Sequence, residues 1–309
     1  MATLLLSVDF EDWHQLVRRR LGAPGWQEPG PALARQSEAL LGLLDELGVR
    51  ATFFILGIAA RAHPELVRAV ADAGHEIACH GDQHRLVHTQ TPDEFAADVR
   101  AAHATIEELT GVAPAGYRAP AFSITREAAW AYDVLAAQGF AYDSSQHDSP
   151  RIRGRSTPVS AAPHQMALGD GRTLWELPPA VWRVGRRGRL PVGGASYWAV
   201  MPTGVVLRGL SHAGDMAGLY LHPHELDPQP LRVHAPTAGT DSSVDDAPAL
   251  GPRPTGGASQ RARAALREAQ RNLARRRAPG VLRAIAGRHR LITYGEAHAE
   301  LSRGASPRS

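Results

Sequence analysis

Residues 3–13 read TLLLSVDFEDW, an apolar run that ends in three acidic residues within four positions. A stretch of this length without polar alternation is the pattern of a strand buried on both faces, as in a parallel sheet covered by helices. Carboxylates at the end of such a strand are costly unless they are paired or bind something. The segment therefore predicts both a parallel α/β core and a polar site at the carboxyl end of its first strand.

The same alternation continues outward from it. ALARQSEALLGLLDELG (32–48) has apolar positions at helical spacing and a glycine stop, and ATFFIL (51–56) is a second strand. HPELVRAVADAG (63–74) is a helix, and HEIACH (75–80) a third strand. TPDEFAADVRAAHATIEELTG (91–111) opens with a threonine cap and first-turn acids. GYRAP (116–120), REAAWAYDVLAAQG (126–139) and FAYDSS (140–145) add a strand, a helix and a fifth strand. This rhythm predicts parallel strands covered by helices, most naturally closed as a barrel.

After residue 145 the rhythm breaks into SQHDSPRIRGRSTPVSAAPHQ (145–165), read as a long surface loop. Strand signals return in RTLWELP (172–178) and GLYLHPHEL (218–226), with the helix PTGVVLRGLSHAG (202–214) between them. The expected organisation is a barrel over 1–230 and a flexible low-complexity insertion over 231–260, rich in Pro, Gly, Ser and Asp. A C-terminal helix, strand and helix over 261–302 then pack on the barrel, and residues 303–309 form a disordered tail. The basic segment RARAALREAQRNLARRR (261–277) reads as a solvated helix face, with an acidic partner as the alternative.

Composition narrows the classes. The chain has 309 residues, 43% hydrophobic and 21% charged, which suits a globular protein. Its net charge is +3, but all 34 basic side chains are arginine and they are scattered, unlike the concentrated face of a nucleic-acid binder. The single cysteine, Cys79, excludes an intrachain disulfide and reads as a small buried residue. The N-terminal run lacks a basic leader region, and no segment reaches the ~20 apolar residues of a membrane helix. The chain is expected to be cytoplasmic, with no nucleic-acid partner, no membrane span and an oligomeric state the sequence leaves open.

Polar groups collect at four strand ends: Asp9, Glu11 and Asp12; His80 and His84 in HGDQH (80–84); Arg118 in YRAPAF (117–122); and His222 with His224 in YLHPHELDP (220–228). Two imidazoles and a carboxylate form a normal facial ligand set for a hydrolytic zinc ion. A histidine pair four apart is a weak signal in a chain with 15 histidines, and its weight comes from lying after a strand while a carboxylate cluster follows another. Strand alternation places Glu11 on the face of Asp9, whereas Asp12 reaches the same ion if the strand has already turned. Either is the carboxylate ligand. Trp13, Trp175 and Trp182 are candidates to stack on sugar rings or to join the core, and Trp182 is taken as a substrate contact.

SVDFEDW, HGDQH, YRAPAFSIT, YDSS and YLHPHELDP, in this order, resemble the polysaccharide deacetylase family, also called the NodB-homology or carbohydrate esterase 4 family. Within it they are most similar to the branch with a VDxEDW start, which includes exopolysaccharide-cluster proteins and is similar to peptidoglycan deacetylase and allantoinase-like members. The resemblance implies a distorted (β/α)7 barrel and metal-dependent N-deacetylation of a sugar or polysaccharide. It implies a divalent metal, foremost Zn2+ with Co2+, Ni2+ or Mn2+ as alternatives, held by His80, His84 and the acidic ligand. Asp9 then matches the base that activates water, Arg118 the arginine that orients it, and His222 the acid for the leaving amine. An N–H after Pro120, that of Phe122, is expected to complete an oxyanion site. Alternative readings are an amidohydrolase acting on a small non-sugar amide, as in allantoinase-like relatives, and an inactive carbohydrate-binding barrel. The commoner form of the first motif has adjacent acids, whereas position 10 here is Phe10. His224 is expected near His222 without a role in the reaction, and Asp143 falls on a family-like position with no derivable chemistry.

Overall fold

The computed structural model describes residues 1–20, 25–148, 160–186, 188–231 and 257–305. Eleven strands are seen among them: β1 (Thr3–Phe10), β2 (Thr52–Ile55), β3 (Glu76–Cys79), β4 (Gly116–Tyr117), β5 (Tyr142–Asp143), β6 (His164–Ala167), β7 (Thr173–Glu176), β8 (Trp182–Val184), β9 (Gly188–Leu190), β10 (Ala217–Leu221) and β11 (Arg290–Ile292). Ten α-helices accompany them: α1 (Trp13–Arg20), α2 (Leu33–Glu46), α3 (Gly57–Ala62), α4 (Pro64–Asp72), α5 (Pro92–Thr110), α6 (Trp130–Ala137), α7 (Ala195–Trp198), α8 (Thr203–Ala213), α9 (Gly257–Ala286) and α10 (Tyr294–Ala305). Local chemistry sets several of these boundaries. At α5, Thr91 Oγ1 accepts from Glu94 N while Glu94 Oε2 accepts from Thr91 N, and Gly111 ends the helix at φ 72°.

The main sheet runs β10-β1-β2-β3-β4-β5-β7-β6, and every pairing from β10 to β7 is parallel. It then curls onto itself. Just past β7, a parallel bridge joins Pro179 to Gly218 of β10, with Ala180 N donating to Gly218 O at 2.7 Å and Gly218 N donating to Pro178 O at 3.0 Å. Seven parallel strands thus form the distorted barrel that the βα rhythm predicts. The antiparallel strand β6 and the β8–β9 hairpin are additions the alternation did not signal.

Strand alternation in β1 separates the two jobs of the opening segment. Leu4, Leu6, Val8 and Phe10 join the outer core beneath the helices, whereas Leu5 joins a second cluster with Phe54, Ala78, Tyr142, Leu177, Ile292 and Tyr294. Each such fully buried large side chain contributes on the order of 1.5–3 kcal/mol relative to exposure. Ser7, Asp9 and Glu11 continue the odd-numbered series toward the carboxyl end of the strand, which is where the polar groups meet.

The C-terminal segment belongs to the barrel. β11 pairs in parallel with Thr3–Leu5, below the point where β2 pairs with Ser7–Phe10, so β1 has one neighbour at its start and another at its end. Tyr294, the next residue but one, enters the interior. Its N–H donates to Thr52 Oγ1 at 2.7 Å and its hydroxyl accepts from Arg118 Nη2 at 2.9 Å. A Cβ on Gly218 would lie 2.1 Å from that hydroxyl, so glycine is required at this position.

Most of the expected insertion over 231–260, and residues 306–309 of the tail expected over 303–309, lie outside the described residues, whereas residues 303–305 continue α10 rather than fraying. Leu231 is buried and exchanges two 2.9 Å hydrogen bonds with Asn272, and α9 begins at Gly257. No helix among the described residues is long and apolar enough to cross a membrane.

Tyr294→Phe leaves one buried Arg118 N–H without its acceptor, which costs roughly 1–3 kcal/mol. Urea unfolding of the variant should show a lowered midpoint at unchanged slope, and an unshifted midpoint would refute the contact's contribution.

Candidate functional site

Arg118 is fully buried at the end of β4, and all five of its N–H groups find acceptors. Nε donates to Ser144 O at 3.3 Å; Nη1 donates to Asp9 Oδ1 at 2.6 Å and to Ser7 Oγ at 2.8 Å; Nη2 donates to Ser144 Oγ at 2.8 Å and to Tyr294 Oη at 2.9 Å. The guanidinium also lies 4.0 Å from the Phe54 ring centroid. Asp9 is thereby held in one orientation, with Oδ2 3.9 Å from His222 Nε2.

Asp143 acquires a physical account here. Its carboxylate accepts from Ser145 N at 2.8 Å and from Ser145 Oγ at 2.7 Å, and Ser145 Oγ in turn accepts from Ala119 N at 2.8 Å. Its cross-strand partner Glu176 is also buried. Burial pushes both carboxyls up, Glu176 well above the usual range, where the neighbouring Asp143 charge adds to the effect. The pair stiffens the wall beneath Arg118.

β3 ends at Cys79, and the turn after it carries both site histidines. Asp98 of α5 clamps that turn by accepting from Asp82 N at 2.8 Å and Gln83 N at 3.3 Å, while Arg61 makes a two-pronged contact to Asp82 at 2.5 and 2.9 Å. The turn needs left-handed backbone at Gly81 (φ 76°) and at His84 (φ 52°), a strain of the kind found at functional sites. His80 is buried, and its Nδ1 lies 2.8 Å from Arg118 O. Donation to that carbonyl fixes the tautomer and leaves the Nε2 lone pair free. Burial holds the His80 imidazole below its ordinary pKa, which favours the neutral, ligating form.

Glu11, rather than Asp12, stands among the histidines. Its Oε2 is 3.0 Å from His84 Nε2, and this oxygen is buried without a hydrogen-bond partner. Its Oε1 is 3.0 Å from His222 Nε2. The donor atoms of Glu11, His80 and His84 all lie within 4.8 Å of one another. Two imidazole nitrogens and one carboxylate, whose buried Oε2 is unsatisfied, are three donors that leave a fourth tetrahedral position open, so these residues fit a zinc-type ion. Asp12 turns the other way, accepting from His14 N at 2.8 Å and Gly30 N at 2.5 Å with His63 Nε2 3.8 Å distant. It secures the segment after α1.

His222 is flanked by carboxylates on both ring nitrogens. Glu225 Oε2 lies 3.1 Å from Nδ1 and accepts from the His222 backbone N at 2.9 Å. Burial opposes the charged imidazolium, yet Glu225 and Glu11 overcome it and hold the pKa up at about 10. Burial likewise opposes the Glu225 carboxylate, and His222 foremost draws it down to about 2. His224 is buried with neither ring nitrogen hydrogen-bonded, packed between Trp13 (5.8 Å) and His222 (5.1 Å).

The aromatic wall differs from expectation. Phe122 N, expected as an oxyanion donor, donates instead to Ala119 O at 3.0 Å. Its ring meets His147 at 4.7 Å and Tyr220 at 5.1 Å, and Ala121 and Phe122 both adopt left-handed backbone (φ 53° and 54°). Pro120 is buried at the start of that turn. Trp182 lies 5.5 Å from the His212 ring and against Gly209, so it packs on α8 and not on the histidine cluster. His147, Tyr220, Ser144 and Tyr294 were not singled out in the sequence, although Tyr220 begins YLHPHELDP and Ser144 lies within YDSS. Burial pushes the Cys79 thiol up to about 12, so it is inert at neutral pH.

The fold and this site define a parallel-barrel protein with a buried carboxylate, an imidazole between carboxylates and a three-donor set that could hold a cation at its carboxyl rim. Residues 28–140 match the family model described as polysaccharide deacetylase, and residues 146–244 match one described as a domain of unknown function, DUF3473. Residues 28–140 thus carry the sequence pattern of the polysaccharide deacetylase family, the NodB-homology or carbohydrate esterase 4 group. A peptidoglycan deacetylase-like protein of Gibberella zeae is 36% identical over 109 residues, covering 34% of this chain and 31% of that protein. A chitooligosaccharide deacetylase of Rhizobium leguminosarum bv. trifolii is 38% identical over 98 residues, 31% of this chain and 42% of that one. The chain thus spans about a third of the length of such curated relatives. Among solved structures, one from Mycobacterium smegmatis described as a polysaccharide deacetylase aligns with a TM-score of 0.60 at 20% identity, covering 100% of this chain and 93% of that one. The allantoinase Puue aligns with 0.57 at 14% identity, covering 99% and 92%. At such identities the two structures attest the fold.

The His222–Glu225 pair gives the metal-free protein a defined pH profile. Glu225 is lowered from 4.5 to about 2, so its contribution is present above pH 4.5 and is lost as pH falls toward 2. His222 is raised from 6.5 to about 10, so its contribution is present below pH 6.5 and is lost as pH rises toward 10. Urea titrations of chelator-treated protein should place maximal stability between these limits. The alkaline slope should vanish in His222→Asn, and its persistence would contradict the pairing.

Proposed function

We propose that this chain is a divalent-metal-dependent deacetylase that hydrolyses the N-acetyl group of an amino sugar, free or within a polysaccharide. The observation that carries the proposal is the convergence of Asp9, His222 and the Glu11–His80–His84 donor set, with Asp9 Oδ2 3.9 Å from His222 Nε2. A base and an acid beside a cation set are what amide hydrolysis needs, because an amine anion does not leave unprotonated.

Glu11, His80 and His84 would hold the ion, with zinc as the proposed metal. Bound there, it supplies Lewis-acid polarisation and acidifies water toward a pKa of ~7. Asp9, oriented by Arg118, accepts a proton from the attacking water. His222 Nε2 donates a proton to the sugar nitrogen as the C–N bond breaks, and Glu225 retains the imidazolium on Nδ1 until then. A C–O bond replaces the C–N bond, and acetate and a free amine are the products. Relatives described as acting on peptidoglycan and chitooligosaccharide support an N-acetylated sugar as the substrate class.

Acetate release from N-acetylglucosamine oligomers should be lost with chelator and restored by zinc or cobalt. Asp9→Asn should lower kcat by about 10²–10⁴-fold. Glu11→Gln should weaken zinc binding measured calorimetrically, while Asp12→Asn leaves it unchanged. Turnover confined to cyclic ureides would replace this reading with an allantoinase-type amidohydrolase, and sugar binding without any hydrolysis would leave an inactive lectin-like barrel.

A further inference from the structure

The basic helix α9 does not present its arginines only to solvent. Arg271 Nη1 donates to Ser196 Oγ at 2.9 Å and approaches Glu225 Oε1 at 3.4 Å. Ser196 Oγ also donates to Glu225 Oε1 in a short contact. The two oxygens of Glu225 are therefore divided: Oε1 faces Ser196 and Arg271, while Oε2 serves His222 through both the backbone N at 2.9 Å and Nδ1 at 3.1 Å. Glu225 is fully buried, so its charge depends on these few partners. The same helix is fastened to the chain just beyond the acid. Asn272 exchanges two hydrogen bonds with Leu231, and Arg275 Nη1 donates to Asp227 O at 3.3 Å and Pro228 O at 3.2 Å.

We propose that Arg271 is a positioning residue for deacetylation, acting through Glu225 to hold the His222 ring so that Nε2 faces the leaving nitrogen. This rests on the deacetylase reading above. An arginine 46 residues beyond Glu225 thereby finishes the support of the acid, with Ser196 of α7 as the third member. Without the guanidinium, Glu225 Oε1 keeps a single neutral donor, and the carboxylate is held less firmly against Nδ1.

The test compares two substrates that differ in their need for an acid. Loss of the N-acetyl amine requires protonation, whereas the 4-nitrophenolate of 4-nitrophenyl acetate leaves without it. In zinc-loaded full-length protein, Arg271→Ala should lower kcat on N-acetylglucosamine oligomers by about 10–100-fold. KM and 4-nitrophenyl acetate turnover should stay within about twofold, since the base and cation set are untouched. Guanidinium at tens of millimolar should restore part of the lost kcat, a response that a merely structural role would not give, and this rescue decides the matter if the wild type does not turn over the ester. Arg271→Lys serves if the alanine variant does not fold, and it should show a smaller loss with the same spared ester. Equal loss on both substrates, or no loss on either, overturns the role of Arg271 while leaving the deacetylase reading intact. A wild-type chain that releases no acetate from the oligomers overturns both.

Discussion

A buried guanidinium is tolerable only when every one of its donors is satisfied, and the Arg118 site is built around that requirement. Its five donors reach Ser7 and Asp9 on β1, Ser144 after β5, and Tyr294 at the head of α10. Three separated parts of the chain are thereby registered to β4 at one point. Its backbone carbonyl fixes the tautomer of His80, so the same residue orients Asp9 through its side chain and His80 through its main chain. Displacing Arg118 would disturb Asp9, His80 and the barrel interior together.

The barrel was legible because its signals are physical and local. β1 is mostly apolar because it is buried on both faces, and α5 carries a threonine cap, first-turn acids and a terminal glycine at the positions where its ends fall. The metal-side residues were legible as polar groups at strand ends, where an apolar context makes them conspicuous. The choice between Glu11 and Asp12 was not legible, since it turns on where the chain leaves the strand, and that depends on Gly30 offering its N–H to Asp12 from a distant loop.

Other features were illegible for the same kind of reason. β6 and the β8–β9 hairpin lie in a stretch whose Gly, Pro and Arg content resembles loop. Trp182 looks like a sugar platform by residue type, yet the chain lays it on α8. Phe122 N is taken by a turn that only backbone geometry discloses. Arg271, Arg275 and Arg277 of α9 resemble solvated charge because their partners include backbone carbonyls, the Ser196 hydroxyl and the buried Glu225 carboxylate in distant parts of the chain. Composition cannot distinguish an arginine that faces water from one that closes a network.

The placement of β11 bears on how the protein is made. Arg290 and Leu291 pair with Thr3 and Leu4, and Arg290 N donates to Ala2 O at 3.2 Å, so the first strand formed takes one of its neighbours from a segment synthesised almost three hundred residues later. Translation at roughly 5–20 residues per second separates the two by tens of seconds. For all that time the emerging strand has an open edge, and Arg118 lacks the tyrosine hydroxyl that completes its shell. A nascent chain arrested before residue 294 therefore carries Asp9, His80 and His84 but lacks one of the five acceptors around Arg118.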